Sequence, residues 1–219
     1  AANFTVTSDT QITATVPGDA ISGKIAVTTP SKTITSGGRF TVLPGVALSL
    51  TVGPPTSVIP VSGTNFGRAE AVDLFFDTTD EALVSTTGQG AFGGISIPVP
   101  ASAVPGTHWV TAIGRHSGLS AQTPFTVRTD WVQFRDDLRH TSLNPYENVL
   151  SPTNVARLDG GWKAATGGSI DSSPTVANGV VYVGSADGHL YAFDAQTGAQ
   201  LWAAATGNAI FSSPAVANG

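Results

Sequence analysis

Chemistry needs titratable or nucleophilic side chains at workable spacing, and this sequence offers few. Asp77, Asp80 and Glu81 in DTTDE bring three carboxylates within five residues. Such hard oxygen donors suit calcium, but the stretch lacks the alternation and central glycine of a full calcium loop. A solvated loop between strands is the expected reading. His108, His116, His140 and His189 fall in different elements without zinc-ligand spacing. His140 follows Asp136 and Asp137 in RDDLRH, where capping or local packing is expected rather than a catalytic pair. There is no cysteine to serve as nucleophile, thiolate ligand or disulfide partner. Neither a GxSxG elbow nor a Walker phosphate loop occurs, and the sequon Asn3-Phe4-Thr5 carries little weight without a glycosylating compartment. The last set is Asp194 with Thr197 and Gly198 in AFDAQTGAQLW. Its chemistry is that of a turn: the carboxylate accepts from following backbone donors, the hydroxyl adds a bond, and the glycine takes a positive φ.

The elements that position these residues read as short strands. Hydrophobic residues make up 41% of the chain and charged residues only 11%, with 25 Gly and 14 Pro placed mostly between apolar runs. That distribution predicts turns within a packed chain rather than disorder. The net charge of −5 and the dispersed Lys and Arg residues exclude a concentrated phosphate-binding face, so no nucleic-acid partner is expected. No apolar stretch approaches membrane-spanning length. The absence of Met suggests a processed or internally excised chain.

Taken in order, Asn3–Thr7, Gln11–Val16, Lys24–Thr29 and Arg39–Val42 alternate Thr with apolar residues, with breaks at Pro17-Gly18 and at Ser36–Gly38. Seven further runs follow at Val46–Val52, Ser57–Gly63, Ala71–Phe76, Ala82–Thr87, Gly94–Val99, Thr107–Gly114 and Pro124–Thr129. Their number and spacing predict a complete two-sheet sandwich, with Trp109 in its core and Pro54, Pro55, Pro60, Pro98 and Pro100 at strand edges or interruptions. From Asp130 the texture changes, and Trp131–Leu158 reads as an ordered, irregular lead-in with at most short strands or one helical turn.

The C-terminal part repeats. SSPTVANG at 172–179 returns as SSPAVANG at 212–219, and the same forty-residue offset places Trp162 and Trp202 in register. Within the first copy, Pro174–Asn178, Val180–Gly184, His189–Ala195 and Ala199–Ala204 predict a four-strand meander, with Asn178-Gly179 as a two-residue hairpin turn. Trp202 supplies an apolar surface for a neighbouring sheet.

Two resemblances rest on these residues. NFTVTSDTQITATVP, followed by GKIAVTTP and RFTV, resembles the latter half of an IPT/TIG domain, an immunoglobulin-like sandwich found in bacterial surface proteins; this implies a missing front half. Ala192, Asp194, Thr197, Gly198 and Trp202 in A-x-D-x-x-T-G-x-x-x-W, with SSPxVANG, resemble the PQQ-like β-propeller repeat family over about the last 90 residues, lead-in included. Some members are quinone-dependent dehydrogenases and many others are scaffolds or sensors. What carries over is a structural role for those five residues and for Trp162.

The expectation is therefore an all-β chain: a partial IPT/TIG-like domain over 1–43, a complete immunoglobulin-like domain over 44–129, a propeller lead-in over 130–160 and incomplete PQQ-like propeller repeats over 161–219. Catalytic, cofactor-binding and metal-binding residues are expected to number none. The function expected is that of a bacterial secreted or cell-surface structural or interaction protein. Its partners would be further copies in a homo-oligomer or filament joined through strand edges, or a surface polymer or protein. A fragment of a PQQ-dependent oxidoreductase using calcium is the enzymatic alternative, and a polysaccharide-binding or sensory propeller a third.

Overall fold

The computed structural model describes residues 2–16, 20 and 22–217. They form an all-β protein of several small antiparallel sheets, and the chain divides into two compact units, residues 1–100 with 106–127 and residues 101–105 with 128–219. The turn expected at Pro17-Gly18 and the last two residues of SSPAVANG lie outside the described residues. No described helix is long and apolar enough to cross a membrane.

In the first unit, β1 (Phe4–Ser8) pairs with β2 (Gln11–Ala14), and β3 (Gly23–Thr28) with β4 (Thr33–Phe40). β4 runs through Ser36–Gly38, where the sequence predicts a break. The register shifts between Lys24 and Ala26, and the Ser36 hydroxyl fills the gap: it accepts from the Ile25 N–H at 3.0 Å and donates to the Gly38 carbonyl at 2.6 Å. A side chain thus replaces ladder bonds across a bulge, so the strand continues.

Residues 45–127 supply β5 (Gly45–Leu48), β6 (Val52–Gly53), β7 (Val58–Thr64), β8 (Ala71–Phe76), β9 (Thr79–Ser85), β10 (Phe92–Pro98), β11 (Gly106–Gly114) and β12 (Ser120–Val127). They build a three-stranded sheet ordered β10-β7-β5 and a five-stranded sheet ordered β6-β12-β11-β8-β9, in which β6 runs parallel to β12. Period-two alternation fixes the core: Ile59, Val61 and Ile97 from the first sheet, and Val72, Leu74, Phe76, Val110, Ala112, Phe125 and Val127 from the second, are buried. Phe76 and Phe125 meet edge to face at 6.0 Å, and full burial of each such ring stabilises by roughly 1.5–3 kcal/mol. Trp109, expected inside, is 42% exposed, because the inward positions of β11 belong to Val110 and Ala112. Pro60 lies inside β7 rather than at its edge. Its carbonyl accepts from Ser49 just past the last β5–β7 pair, Leu48 with Val61, so its missing N–H faces a place where the ladder has ended.

Glu70 locks the approach to β8. Only 7% exposed, its carboxylate accepts from the Gly67 N–H, from the backbone of His116 at 3.0 Å and Ser117 at 2.8 Å, and from the Ser117 hydroxyl at 2.7 Å. Burial pushes its pKa up, but the Ser117, Gly67 and His116 hydrogen bonds outweigh that and hold it below the usual value. Gly67 and Gly114 leave the space, since a Cβ at either would run into the carboxylate.

The second unit contains a 3₁₀ turn at Val155–Arg157 and one sheet, β13 (Thr175–Ala177), β14 (Val180–Gly184), β15 (His189–Asp194) and β16 (Gln200–Ala205), paired in chain order as a meander. Asn178 and Gly179, with φ of 54° and 76°, form the expected tight turn between β13 and β14. Val183, Tyr191 and Phe193 make the core, with Trp162 and Val181 packed against it. The lead-in is tied to the sheet: Trp131 exchanges backbone bonds with Val176, and its neighbour Val132 accepts from Val216 at 2.9 Å. The two copies of the repeat also interlock, Ser173 N–H donating to the Ser213 hydroxyl at 2.9 Å and the Thr175 hydroxyl to the Pro214 carbonyl at 2.7 Å.

Candidate docking site on the repeat sheet

The turn after β15 is built by one carboxylate. Asp194 Oδ1 accepts from the backbone of Gln196 at 3.0 Å, the backbone of Thr197 at 2.7 Å and the Thr197 hydroxyl at 2.8 Å, while its carbonyl accepts from Gly198 N–H at 2.9 Å. The Thr197 hydroxyl and backbone bonds hold its pKa below the usual carboxylate range. Gly198 has a φ of 72°. The turn is a flat platform, and Trp162 lies on it: a Cβ built at Gly198 would sit 2.5 Å from the indole Cδ2. The Trp162 indole N–H donates to the Ala195 carbonyl at 3.0 Å, and the ring reaches Phe193 at 6.3 Å.

Trp202 lies forty residues beyond Trp162. It stands on β16 opposite Ala192, a fully buried residue, with its ring 5.9 Å from Tyr182, and is 42% exposed. Leu201 beside it is exposed too, and β16 is the outer strand of the sheet. An apolar ring next to a strand edge that is unpaired among the described residues is a surface suited to another β element. The forty-residue register reveals that Trp162 and Trp202 are counterparts. It does not reveal that Trp162 lands on Gly198, because that contact crosses from one repeat to the next.

A second carboxylate orders the tight turn between β14 and β15. Asp187 accepts from the Tyr191 hydroxyl at 2.7 Å and the His189 N–H at 2.9 Å, and the Gly167 N–H donates to the Tyr191 oxygen at 3.2 Å. The Tyr191 bond is the main cause of a pKa lowered to about 2 from 3.8. A folded pKa below the unfolded one means stabilisation that is present above pH 3.8 and lost as the pH falls toward about 2. Tryptophan fluorescence across that window is expected to show the repeat sheet loosening in the native chain, and Asp187→Asn to abolish this pH dependence.

The remaining candidates do not converge. Asp77 is engaged by His108 Nδ1 at 2.6 Å and the Trp109 N–H at 2.9 Å, while Asp80 and Glu81 lie in β9. His116 meets Glu70 through its backbone, His140 packs edge-on against Phe134 at 5.6 Å, and His189 Nδ1 lies 3.3 Å from Asp187. Among the described residues no three His, Asp or Glu side chains are gathered as a metal site.

Residues 155–219 match the family model described as outer membrane protein assembly factor BamB. The C-terminal segment carries a PQQ-like repeat motif of that type. The matched span begins at the 3₁₀ turn and includes Trp162, the Asp194 turn and Trp202. No curated protein matches the chain.

Proposed function

We propose that this is a non-enzymatic interaction protein of the bacterial cell exterior, in which immunoglobulin-like modules carry a propeller-type repeat sheet that docks onto another β element. In this reading, residues 1–43 form part of an IPT/TIG-like sandwich, 44–129 a complete immunoglobulin-like sandwich, 130–160 a lead-in, and 161–219 propeller repeats. Ala192, Asp194, Thr197 and Gly198 build a blade, and Trp162 and Trp202 join blades. The observation that carries the proposal is Trp162 seated on the Gly198 turn, a ring-on-turn contact that Trp202, its counterpart forty residues on, is placed in register to repeat against another β element. The match to an assembly-factor family supports the same class of function and an extracytoplasmic location.

Homotypic assembly is the most direct form of this docking, because each copy brings both a Trp202 face and strand edges. Light scattering of the whole chain is expected to show concentration-dependent association, weakened on the order of tenfold by Trp202→Ala, as befits a central aromatic anchor. A native chain that stays monomeric throughout would overturn the homotypic form.

A further inference from the structure

The repeat motif SSPxVANG ends in a dipeptide with a chemistry of its own. Asn-Gly stands at 178–179 and again at 218–219, and nowhere else in the chain. An asparagine before glycine can cyclise, because no Cβ on the following residue hinders its backbone nitrogen. At the first pair, the Gly179 nitrogen gives up its proton and attacks Asn178 Cγ. The N–Cγ bond forms, the Cγ–Nδ2 bond breaks, and Nδ2 leaves as ammonia. Water then opens the imide at either carbonyl, leaving aspartate or isoaspartate at position 178.

The structure holds this pair back from the reaction. Ring closure requires the Gly179 nitrogen to eclipse Asn178 Cβ about the Cα–C bond. Asn178 and Gly179 have φ of 54° and 76°. They are the two left-handed residues of a type I′ hairpin turn, whose first residue has a ψ of about +30°. At that ψ the glycine nitrogen lies on the far side of the bond from Cβ. The side chain is tethered as well: Arg128 Nη2 donates to Asn178 Oδ1 at 3.0 Å, and the same guanidinium is oriented by Nε donating to Asp130 Oδ1 at 2.9 Å. The Ala195 N–H donates to the Gly179 carbonyl at 2.9 Å and fixes the other side of the turn. Asn178 is exposed, so water has access to it.

The tether comes from a separate piece of chain. Arg128 lies at the start of the lead-in, and what lays it beside the turn is the antiparallel bridge between Trp131 and Val176, with bonds of 2.7 and 2.8 Å. An isolated bridge opens far more readily than the ladder joining β13, β14 and β15. We propose that Asn178-Gly179 is a guarded modification site. Arg128 and the left-handed turn keep the amide carbon out of reach of the glycine nitrogen, and release of the lead-in from β13 lets the pair convert. Isoaspartate would lengthen a two-residue loop whose flanking residues, Ala177 and Val180, pair directly. One release of the lead-in would thus leave a permanent change in the sheet.

The test incubates the whole chain at neutral pH and follows position 178 by peptide mapping and mass spectrometry, which separates it from position 218. Conversion in the native chain is expected to be slower by roughly tenfold or more than in the same chain unfolded in urea. Arg128→Ala should speed native conversion roughly fivefold, as the loss of one hydrogen bond holding a locally opening segment implies. Gly198→Ala, which loosens the sheet without touching Arg128, should speed it less. A native chain that converts as fast as the unfolded one would overturn the proposal, and so would an unchanged or slower rate in Arg128→Ala. Equal acceleration by Gly198→Ala would also overturn it, since conversion would then follow general unfolding of the sheet rather than release of the lead-in.

Discussion

Gly198→Ala is expected to destabilise the repeat sheet by about 3 kcal/mol, against about 1 kcal/mol for Gly179→Ala. Both glycines adopt a positive φ, 72° and 76°, so both substitutions incur the left-handed backbone penalty. Only at 198 does the new methyl meet anything: it would lie 2.5 to 2.8 Å from three indole atoms of Trp162, whereas nothing lies within 4 Å at 179. The ring must lift, which lengthens its bond to the Ala195 carbonyl and uncovers Phe193. Because the chain holds two compact units, the measurement should be local: hydrogen exchange of β15 and β16 amides, with tryptophan fluorescence alongside. Equal losses for the two variants would show that Trp162 contributes nothing on that platform.

Glu70→Ala should have a comparable effect on the first unit, about 3 kcal/mol, because it leaves three backbone N–H groups and the Ser117 hydroxyl without their acceptor in a buried place. Glu70→Gln should cost less, since an amide oxygen still accepts some of these bonds. The pH dependence separates charge from shape. The folded pKa is held below the unfolded value of 4.5, so the carboxylate stabilises the fold above that value and the contribution disappears as the pH falls through the folded pKa. Acid titration of denaturant midpoints should show this loss in the native chain and not in Glu70→Gln. An unchanged acid profile in the glutamine variant would mean that the clasp works without its charge.

Local pattern made the strands legible. Alternation in AVDLFF and the Asn178-Gly179 turn specify a strand and a hairpin through neighbours one to three residues away, and the structure has both. The misreadings arise where distant partners decide. Trp109 was expected in the sandwich core, but the phase of β11 is set by Val110 and Ala112 opposite β8. Glycines at 37 and 38 suggested a break that the Ser36 hydroxyl bridges through β3. The Glu70 clasp was not legible, because its donors at 116 and 117 are brought in by a separate hairpin. At the candidate docking site the residue types were readable from the repeat motif, but the seat of Trp162 on Gly198 needed coordinates.

The short lead-in pairing has a mechanical consequence. Trp131 is bonded to Val176 and Val132 to Val216, so the two flanks of the repeat unit are joined through adjacent residues. A pulling force applied between residues 128 and 217 would therefore load the Val132–Val216 hydrogen bond first, before the β13–β16 ladder carried tension. Once that bond parted, the load would pass from Trp131 to Val176 on β13 and across the Ser173–Ser213 and Thr175–Pro214 hydrogen bonds, and only when those parted would it run along residues 206–212 to β16 at the other edge of the sheet.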